Sequence, residues 1–172
     1  MRVKLHLCKS MKSASGSDDY MRGCTTASNG QIIFAEPANK TLSVYDSKGN
    51  FSSNIAVSTY PFDVTSINYY TFAVTYDKVC FIDTSKNTRS VQRYRTSYPC
   101  RGISYMSGHI YVVVETQGIQ VMDITGNLQK TIIIDVKGVH FFTSSNSRLY
   151  YANTDEGTIH CCDMRGKEIW KF

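Results

Sequence analysis

The side chains in this sequence that could do chemistry are four histidines, six cysteines and a set of aspartates that recurs at a regular interval. The histidines show no metal-ligand spacing such as His-x-x-x-His, and no two cysteines form a Cys-x-x-Cys pair. Zinc sites commonly draw on such closely spaced pairs. We therefore expect no metal, no cofactor and no catalytic residues in this chain.

The recurring aspartates each follow a hydrophobic residue at the end of a short apolar segment. They are 37, 40 and 40 residues apart, at Asp46, Asp83, Asp123 and Asp163. Glycine stands three residues later in three of the copies, at Gly49, Gly126 and Gly166, and the second copy has Lys86-Asn87 in its place. Aspartate at the first position and a glycine able to take positive φ at the fourth are typical of a type I turn. We therefore interpret these aspartates as turn residues and predict hairpins at residues 46–50, 123–127 and 163–167.

The elements that position these turns are short strands, about four in each period of roughly 40 residues. An apolar strand is predicted before each aspartate, at residues 32–35, 71–74, 110–113 and 149–152. A shorter strand rich in small residues is predicted before that one, at residues 23–26, 63–66, 102–105 and 138–141. No segment has a helical periodicity over the ~10 residues that a helix needs. Four short strands per repeat are typical of a β-propeller blade.

The repeats predict an all-β protein with about four four-stranded blades. The predicted blades are residues 22–60, 61–98, 99–135 and 136–172. Residues 1–21 form an N-terminal segment, and residues 3–7 within it could be the outer strand of a preceding blade. A six-bladed geometry turns by about 60° per blade, so we expect four blades to form an open, incomplete ring. The exposed faces of the two end blades would then favour self-association. A closed four-bladed ring is the alternative.

A cationic rim is the one surface feature that the repeats predict. Aligning them places Arg22, Phe62, Arg101 and Lys137 at equivalent positions, and a glycine follows each of the three cations. Equivalent positions in successive blades lie on one rim of a propeller. Nearby, Arg93, Tyr94, Arg95 and Tyr98 place cations among aromatic rings, a combination that can hold phosphates and stack bases. The rim predicts a protein-binding surface or, as the alternative, a surface for single-stranded RNA.

Composition limits the remaining classes of function. With 42% hydrophobic and 19% charged residues the chain is typical of a globular domain, and its net charge of +5 is mild for a nucleic-acid-binding protein. No apolar run approaches the ~18 residues of a membrane span, so we expect no membrane partner. The start of the chain does not look like a signal peptide, and the cysteines are scattered. We therefore expect a cytoplasmic protein with reduced thiols.

Four short strings resemble the NHL-type propellers of invertebrate, mollusc-like tripartite-motif proteins. They are SDDYMRGCT at residues 17–25, GQIIFA at 30–35, YPFDVT at 60–65 and GKEIW at 166–170. The resemblance implies a six-bladed type of propeller that recruits partners or substrates for a ubiquitin ligase. The RING finger that carries ligase activity in that family needs a dense array of cysteines and histidines, which this chain lacks. Ligase activity is therefore implied only for a longer parent, and this chain alone is expected not to be an enzyme. A metal-dependent propeller enzyme, such as a lyase or lactonase, is the third hypothesis, with His140 as its one inner-strand histidine.

Overall fold

The computed structural model of the protein describes residues 21–84 and 96–172 and the backbone of residues 90–94. The described residues form sixteen β-strands and no helix. The first eight strands are β1 (Cys24–Thr26), β2 (Ile32–Glu36), β3 (Thr41–Tyr45), β4 (Phe51–Ala56), β5 (Asp63–Ser66), β6 (Thr71–Thr75), β7 (Val79–Asp83) and β8 (Ser90–Tyr94). The other eight are β9 (Cys100–Met106), β10 (His109–Val114), β11 (Gly118–Asp123), β12 (Leu128–Ile132), β13 (Val139–Ser145), β14 (Arg148–Asn153), β15 (Thr158–Asp163) and β16 (Glu168–Lys171).

The strands form four antiparallel sheets of four, and each sheet is made of strands that follow one another in the chain. Their orders are β1-β2-β3-β4, β5-β6-β7-β8, β9-β10-β11-β12 and β13-β14-β15-β16. The predicted all-β class with four four-stranded blades is therefore confirmed. We number the sheets as blades one to four. Of the predicted N-terminal segment, residues 1–20, including the possible strand at 3–7, lie outside the described residues.

The side chains of the second strand of each blade point alternately to the two faces of the sheet, and this builds the hydrophobic core. In β10, Val112 packs towards blade two and its neighbour Val113 packs towards blade four. Side chains of successive strand residues point to opposite faces, so an unbroken apolar strand can serve two interfaces at once. Three clusters of buried residues result, one between each pair of neighbouring blades. The core is thus divided among the interfaces, and each blade depends on its neighbour to bury its face.

A hydroxyl on each of the first three inner strands joins that blade to the next. Thr25 Oγ1 accepts a hydrogen bond from the N–H of Ser66 at 3.1 Å, and Thr65 Oγ1 accepts one from the N–H of Tyr105 at 3.1 Å. Ser104 Oγ accepts the N–H of Ser144 at 3.0 Å in the same way. These bonds set the register between neighbouring inner strands, and they recur with the period of the blades.

The predicted aspartates lie in turns between strands. Asp46 Oδ1 accepts the N–H groups of Lys48 at 2.9 Å and Asn50 at 2.8 Å, between β3 and β4. Asp123 and Asp163 accept the equivalent N–H groups in blades three and four. The glycines of these turns have positive φ, 76° at Gly49, 89° at Gly126 and 86° at Gly166. Asp83 ends β7, and residues 85–89, which contain Lys86-Asn87, lie outside the described residues.

Among the described residues the ring is not closed, because no blade packs against the far side of blade four. Its exposed apolar side chains include Phe141 (50% exposed), Ile159, Trp170 and Phe172 (90% exposed). Thr143 lies at the position in blade four that Thr25, Thr65 and Ser104 occupy in the earlier blades, and its side chain is exposed. Blade four therefore presents the kind of face that each earlier blade buries.

Candidate binding site at the channel mouth

The four inner strands, β1, β5, β9 and β13, begin on the same side of the molecule, which we call the mouth face. Arg22, Phe62, Arg101 and His140 lie at these strand starts, and we call them the mouth cluster. In each inner strand, the residue whose backbone N–H can bond to the preceding blade lies four residues after the mouth-cluster residue, as Ser66 lies four residues after Phe62. The sheet register therefore brings together four side chains that are about 40 residues apart in the sequence.

In the fourth repeat, the sequence alignment is wrong by three residues. The backbone N–H of Ser144 bonds to blade three as those of Ser66 and Tyr105 bond to the blades before them. Counting back from Ser144 places His140, and not Lys137, in the mouth cluster. The alignment used Gly138 as its landmark, but this glycine has a φ of 72° and lies in the connection before β13. Counting back from the strand interior, where the hydroxyl-rich positions recur, would have found His140.

The phenyl ring of Phe62 organises the mouth cluster. The guanidinium carbons of Arg22 and Arg101 lie 4.9 and 5.1 Å from its centroid, within the range of cation–π attraction. The imidazole of His140 stacks against the same ring, with centroids 5.9 Å apart and planes inclined by 27°. Phe62 itself is only 9% exposed. One buried ring thus gathers two cations from blades one and three and a histidine from blade four.

Arg101 is held by contacts to its side chain and to its backbone. Its Nε donates to Glu115 Oε1 at 2.6 Å, and its terminal Nη2 forms an ion pair with the same oxygen. Its carbonyl oxygen accepts the hydroxyl of Thr75 at 2.5 Å. Because the side chain is positioned before any ligand arrives, less conformational entropy is lost on binding.

Asp63 lies directly beneath the cluster and was not singled out from the sequence. Its Oδ2 accepts the N–H of Ile103 in blade three at 3.0 Å, and its Oδ1 accepts the N–H of Val64 at 2.8 Å. Blade one closes over it at Gly23, where a Cβ would lie 2.5 Å from the Asp63 Cα. Desolvation raises the pKa of this carboxyl to about 7, against the lowering effect of the two N–H bonds. Asp63 is therefore a titratable link between the blades that carry the mouth cluster.

Two adjoining cavities open at the mouth cluster. The first holds about 380 Å³, and its walls include Arg22, Phe62, Arg101 and His140. The second holds about 500 Å³ between blades three and four, and Lys137 lies on its wall. Arg101 and His140 line both cavities, so the two adjoin at these residues, and we call them together the mouth groove.

Other charged and aromatic side chains surround the mouth groove. Glu115 and Asp135 line its second cavity, and Asp155 lies beside Gly138. Tyr60 and Tyr98 are exposed in the connections that enter blades two and three, and the Lys40 ammonium lies 4.8 Å from the Tyr60 ring centroid. Arg93 and Tyr94 lie on β8, where only the backbone is described, and Arg95 lies outside the described residues. The mouth face is therefore mixed in charge, with its cations concentrated at the mouth cluster.

The described residues contain no group of three or more histidine, cysteine, aspartate or glutamate side chains that could hold a metal ion. None of the cysteines in the described part of the chain, Cys24, Cys80, Cys100, Cys161 and Cys162, forms a disulfide. In the described part of the chain no helix is long and apolar enough to cross a membrane. The chemistry that the mouth groove offers is recognition of negative charge by preorganised guanidinium groups.

Comparison with solved structures places this architecture among known folds. The chain is similar to a streptogramin B lyase, with a TM-score of 0.67, 16% identity and 88% of the chain covered. It is similar to the Cps50 (Swd1) β-propeller domain of Myceliophteria thermophila, with a TM-score of 0.71, 12% identity and 88% coverage. The chain has a β-propeller fold. The computationally designed protein Ika4 is also similar, with a TM-score of 0.62 and 12% identity over 91% of this chain and 99% of that one.

These likenesses extend to the fold and no further. The chain spans 54% of the lyase and 59% of the Swd1 domain, about half the length of each. No family model and no curated protein matches the sequence. The propeller part of the predicted resemblance is thus supported, whereas the comparisons give no support for the NHL-type or tripartite-motif relation.

Proposed function

We propose that this propeller is a protein-interaction platform and that its mouth groove binds an acidic segment of the partner. The observation that carries the proposal is the convergence of Arg22 and Arg101 on the buried ring of Phe62. These cations come from different blades, so only the folded propeller brings them together. A partner carboxylate bound at the mouth cluster would form charge-assisted hydrogen bonds with guanidinium groups that are already in place.

The carboxylates around the mouth groove favour a peptide over a nucleic acid. Asp135 lines the mouth groove and Asp155 lies beside Gly138, and both would repel a continuous phosphate backbone. A peptide with one or two acidic side chains can place them at the mouth cluster and avoid these two positions. The ring of Phe62 is buried, so it offers little surface for base stacking.

Single-stranded RNA is the second candidate, and the exposed rings of Tyr60 and Tyr98 favour it. Both tyrosines lie on the mouth face, and Tyr60 has the ammonium of Lys40 over its ring. Bases can stack on such exposed aromatic rings while cations bind phosphates. The two candidates differ in which side chains they require, so one set of variants separates them.

Fluorescence anisotropy with two labelled probes tests the proposal. The probes are a hexapeptide of glycine and serine that contains two glutamates and a ten-nucleotide uridine RNA. We expect the wild-type chain to bind the peptide more tightly than the RNA, and we expect the Arg22→Gln/Arg101→Gln double variant to bind the peptide at least about tenfold more weakly. Arg148→Gln is the matched control, because this exposed arginine begins β14 at the end of the blade opposite the mouth.

Either of two results would overturn the proposal. Peptide binding that is unchanged in the double variant would show that the mouth cluster is not the site. Tighter binding of RNA, lost on replacing Tyr60 and Tyr98 with alanine, would establish the second candidate instead.

We propose further that the recruited partner is a ubiquitination substrate of a longer, RING-containing parent, that the chain has no catalytic activity of its own, and that it acts in the cytoplasm. The sequence resemblance supports the first point, and the scattered cysteines of the sequence favour a reducing compartment. A fusion of a RING finger to this chain should ubiquitinate proteins bound at the mouth groove. The same fusion carrying Arg22→Gln/Arg101→Gln should not, and equal modification by both fusions would refute substrate selection by the mouth groove.

A further inference from the structure

The second cavity of the mouth groove differs in chemistry from the first. The residues that line it include the aliphatic Ile134, Val136 and Val139, whereas the first cavity is lined mainly by the mouth cluster. Ile134 is partly buried and packs against the core between blades three and four, while Val136 and Val139 belong to that core. The second cavity is therefore a site that can bury an apolar side chain.

Two residues with positive φ line the second cavity. Thr116, a β-branched residue on its rim, is held at a φ of 63°, a conformation that persists only where the surrounding structure imposes it. Gly138 on the opposite wall has a φ of 72°, and a Cβ there would overlap Asn153 and Asp155. Both positions therefore restrict which residues can line the cavity.

The charge of Glu115 inside this cavity is already paired. Its carboxylate is bound to the guanidinium of Arg101, the residue that separates the two cavities. An apolar group entering the second cavity would therefore not have to displace water from an unpaired glutamate. Lys137 is exposed and also lines this cavity, to which it adds a cation.

We propose that the mouth groove recognises a short linear peptide in which an acidic residue is followed directly by an aliphatic residue. The acidic side chain binds at Arg22 and Arg101, and the aliphatic side chain enters the second cavity over Ile134. Arg101 and His140 line both cavities, so neighbouring side chains of an extended peptide that runs over these two residues, which point to opposite sides, can enter one cavity each. This inference rests on the proposed function and adds the apolar half of the recognised motif.

Peptide substitutions on the wild-type chain test the inference without any risk to folding. Three labelled peptides are compared by anisotropy: Ser-Gly-Glu-Leu-Gly-Ser, the same peptide with glutamine for glutamate, and the same peptide with serine for leucine. We expect each single change to weaken binding by about tenfold, the leucine change through the loss of buried apolar area.

A second comparison locates the leucine. Ile134→Ala should weaken binding of the leucine peptide. It should leave binding of the serine peptide nearly unchanged, because that peptide has no leucine to contact Ile134. Ile133→Ala is the matched control, since Ile133 is the neighbouring residue, is 77% exposed and does not line the cavity. Near-ultraviolet circular dichroism checks that both variants fold.

The outcomes separate the inference from the function on which it rests. If serine replaces leucine without loss while glutamine still weakens binding, the acidic site stands and the aliphatic subsite is refuted. If neither peptide change alters affinity, both the proposed function and this inference fail. Equal effects of Ile133→Ala and Ile134→Ala would also refute the assignment of the leucine to the second cavity.

Discussion

Asp63 should make this protein less stable as the pH rises through the neutral range. Its carboxyl links blades two and three beneath the mouth cluster, and desolvation raises its pKa from 3.8 to about 7. In the unfolded chain the same carboxyl is hydrated and releases its proton near 3.8. Between these two pH values the folded protein holds a proton that the unfolded chain has lost.

The sign and size of the effect follow from this difference. Where the folded state binds more protons, raising the pH favours unfolding, so the stabilisation is fully present below about pH 4 and lost by about pH 7. Each pH unit corresponds to about 1.4 kcal/mol. Over the roughly three units between the two pKa values, the free energy of unfolding should fall by up to about 4 kcal/mol.

Urea unfolding of the wild type and of Asp63→Asn at several pH values between 4 and 8 measures this effect. The amide does not titrate, and it cannot accept both N–H groups, so the variant carries a constant penalty of about 1–3 kcal/mol. The difference in unfolding free energy, wild type minus variant, should therefore fall as the pH rises. Asp77→Asn removes a carboxylate that lies 3.7 Å from the Lys78 ammonium in a loop and serves as the control. A difference for Asp63→Asn that is constant with pH, or that rises, would refute the reasoning.

Three further predictions concern the blades. Gly118→Ala should destabilise the protein by several times the ~1 kcal/mol expected for Gly108→Ala. Both glycines have positive φ, but only at Gly118 would a Cβ overlap the backbone of the next strand. Equal losses of unfolding free energy in chemical denaturation would contradict this steric argument. Thr65→Val should cost about 1–3 kcal/mol by leaving the N–H of Tyr105 without its acceptor, and Thr65→Ser should recover most of the loss; a serine variant as unstable as the valine variant would argue against the hydrogen bond. The isolated chain should appear in light scattering as a dimer or larger species through the open face of blade four, and Trp170→Glu should shift it towards the monomer; a wild-type chain that stays monomeric at all concentrations would refute this.

The blades could be predicted because their signals are local. An aspartate at the first position of a turn and a glycine at the fourth act within five residues, so their recurrence marks each blade without knowledge of the tertiary structure. The apolar strands before the turns serve two interfaces, and this is why they read as unbroken apolar runs. Both signals depend on the residues themselves and on their immediate neighbours.

The mouth cluster could be predicted only in part because it depends on register between blades. Arg22, Phe62 and Arg101 share one repeat position in the sequence and in the structure, whereas the sequence alignment placed Lys137 where the structure has His140, because β13 has an irregular register between Val139 and Phe141. The burial of Asp63 depends on contact with blade one about 40 residues earlier in the chain, which its own strand does not reveal. Such positions are set by packing between blades and not by the preference of any one segment.

The most direct test of the central claim maps the binding surface on the wild-type chain. Titration of the isotopically labelled protein with the Glu-Leu peptide, followed by amide chemical shifts in nuclear magnetic resonance, reports every affected residue at once. The largest changes are expected at the mouth groove, in Arg22, Phe62, Arg101, Ile134 and His140. Changes centred instead on the turns of Asp46, Asp123 and Asp163 at the opposite face, or on the outer strand β16, would contradict the account.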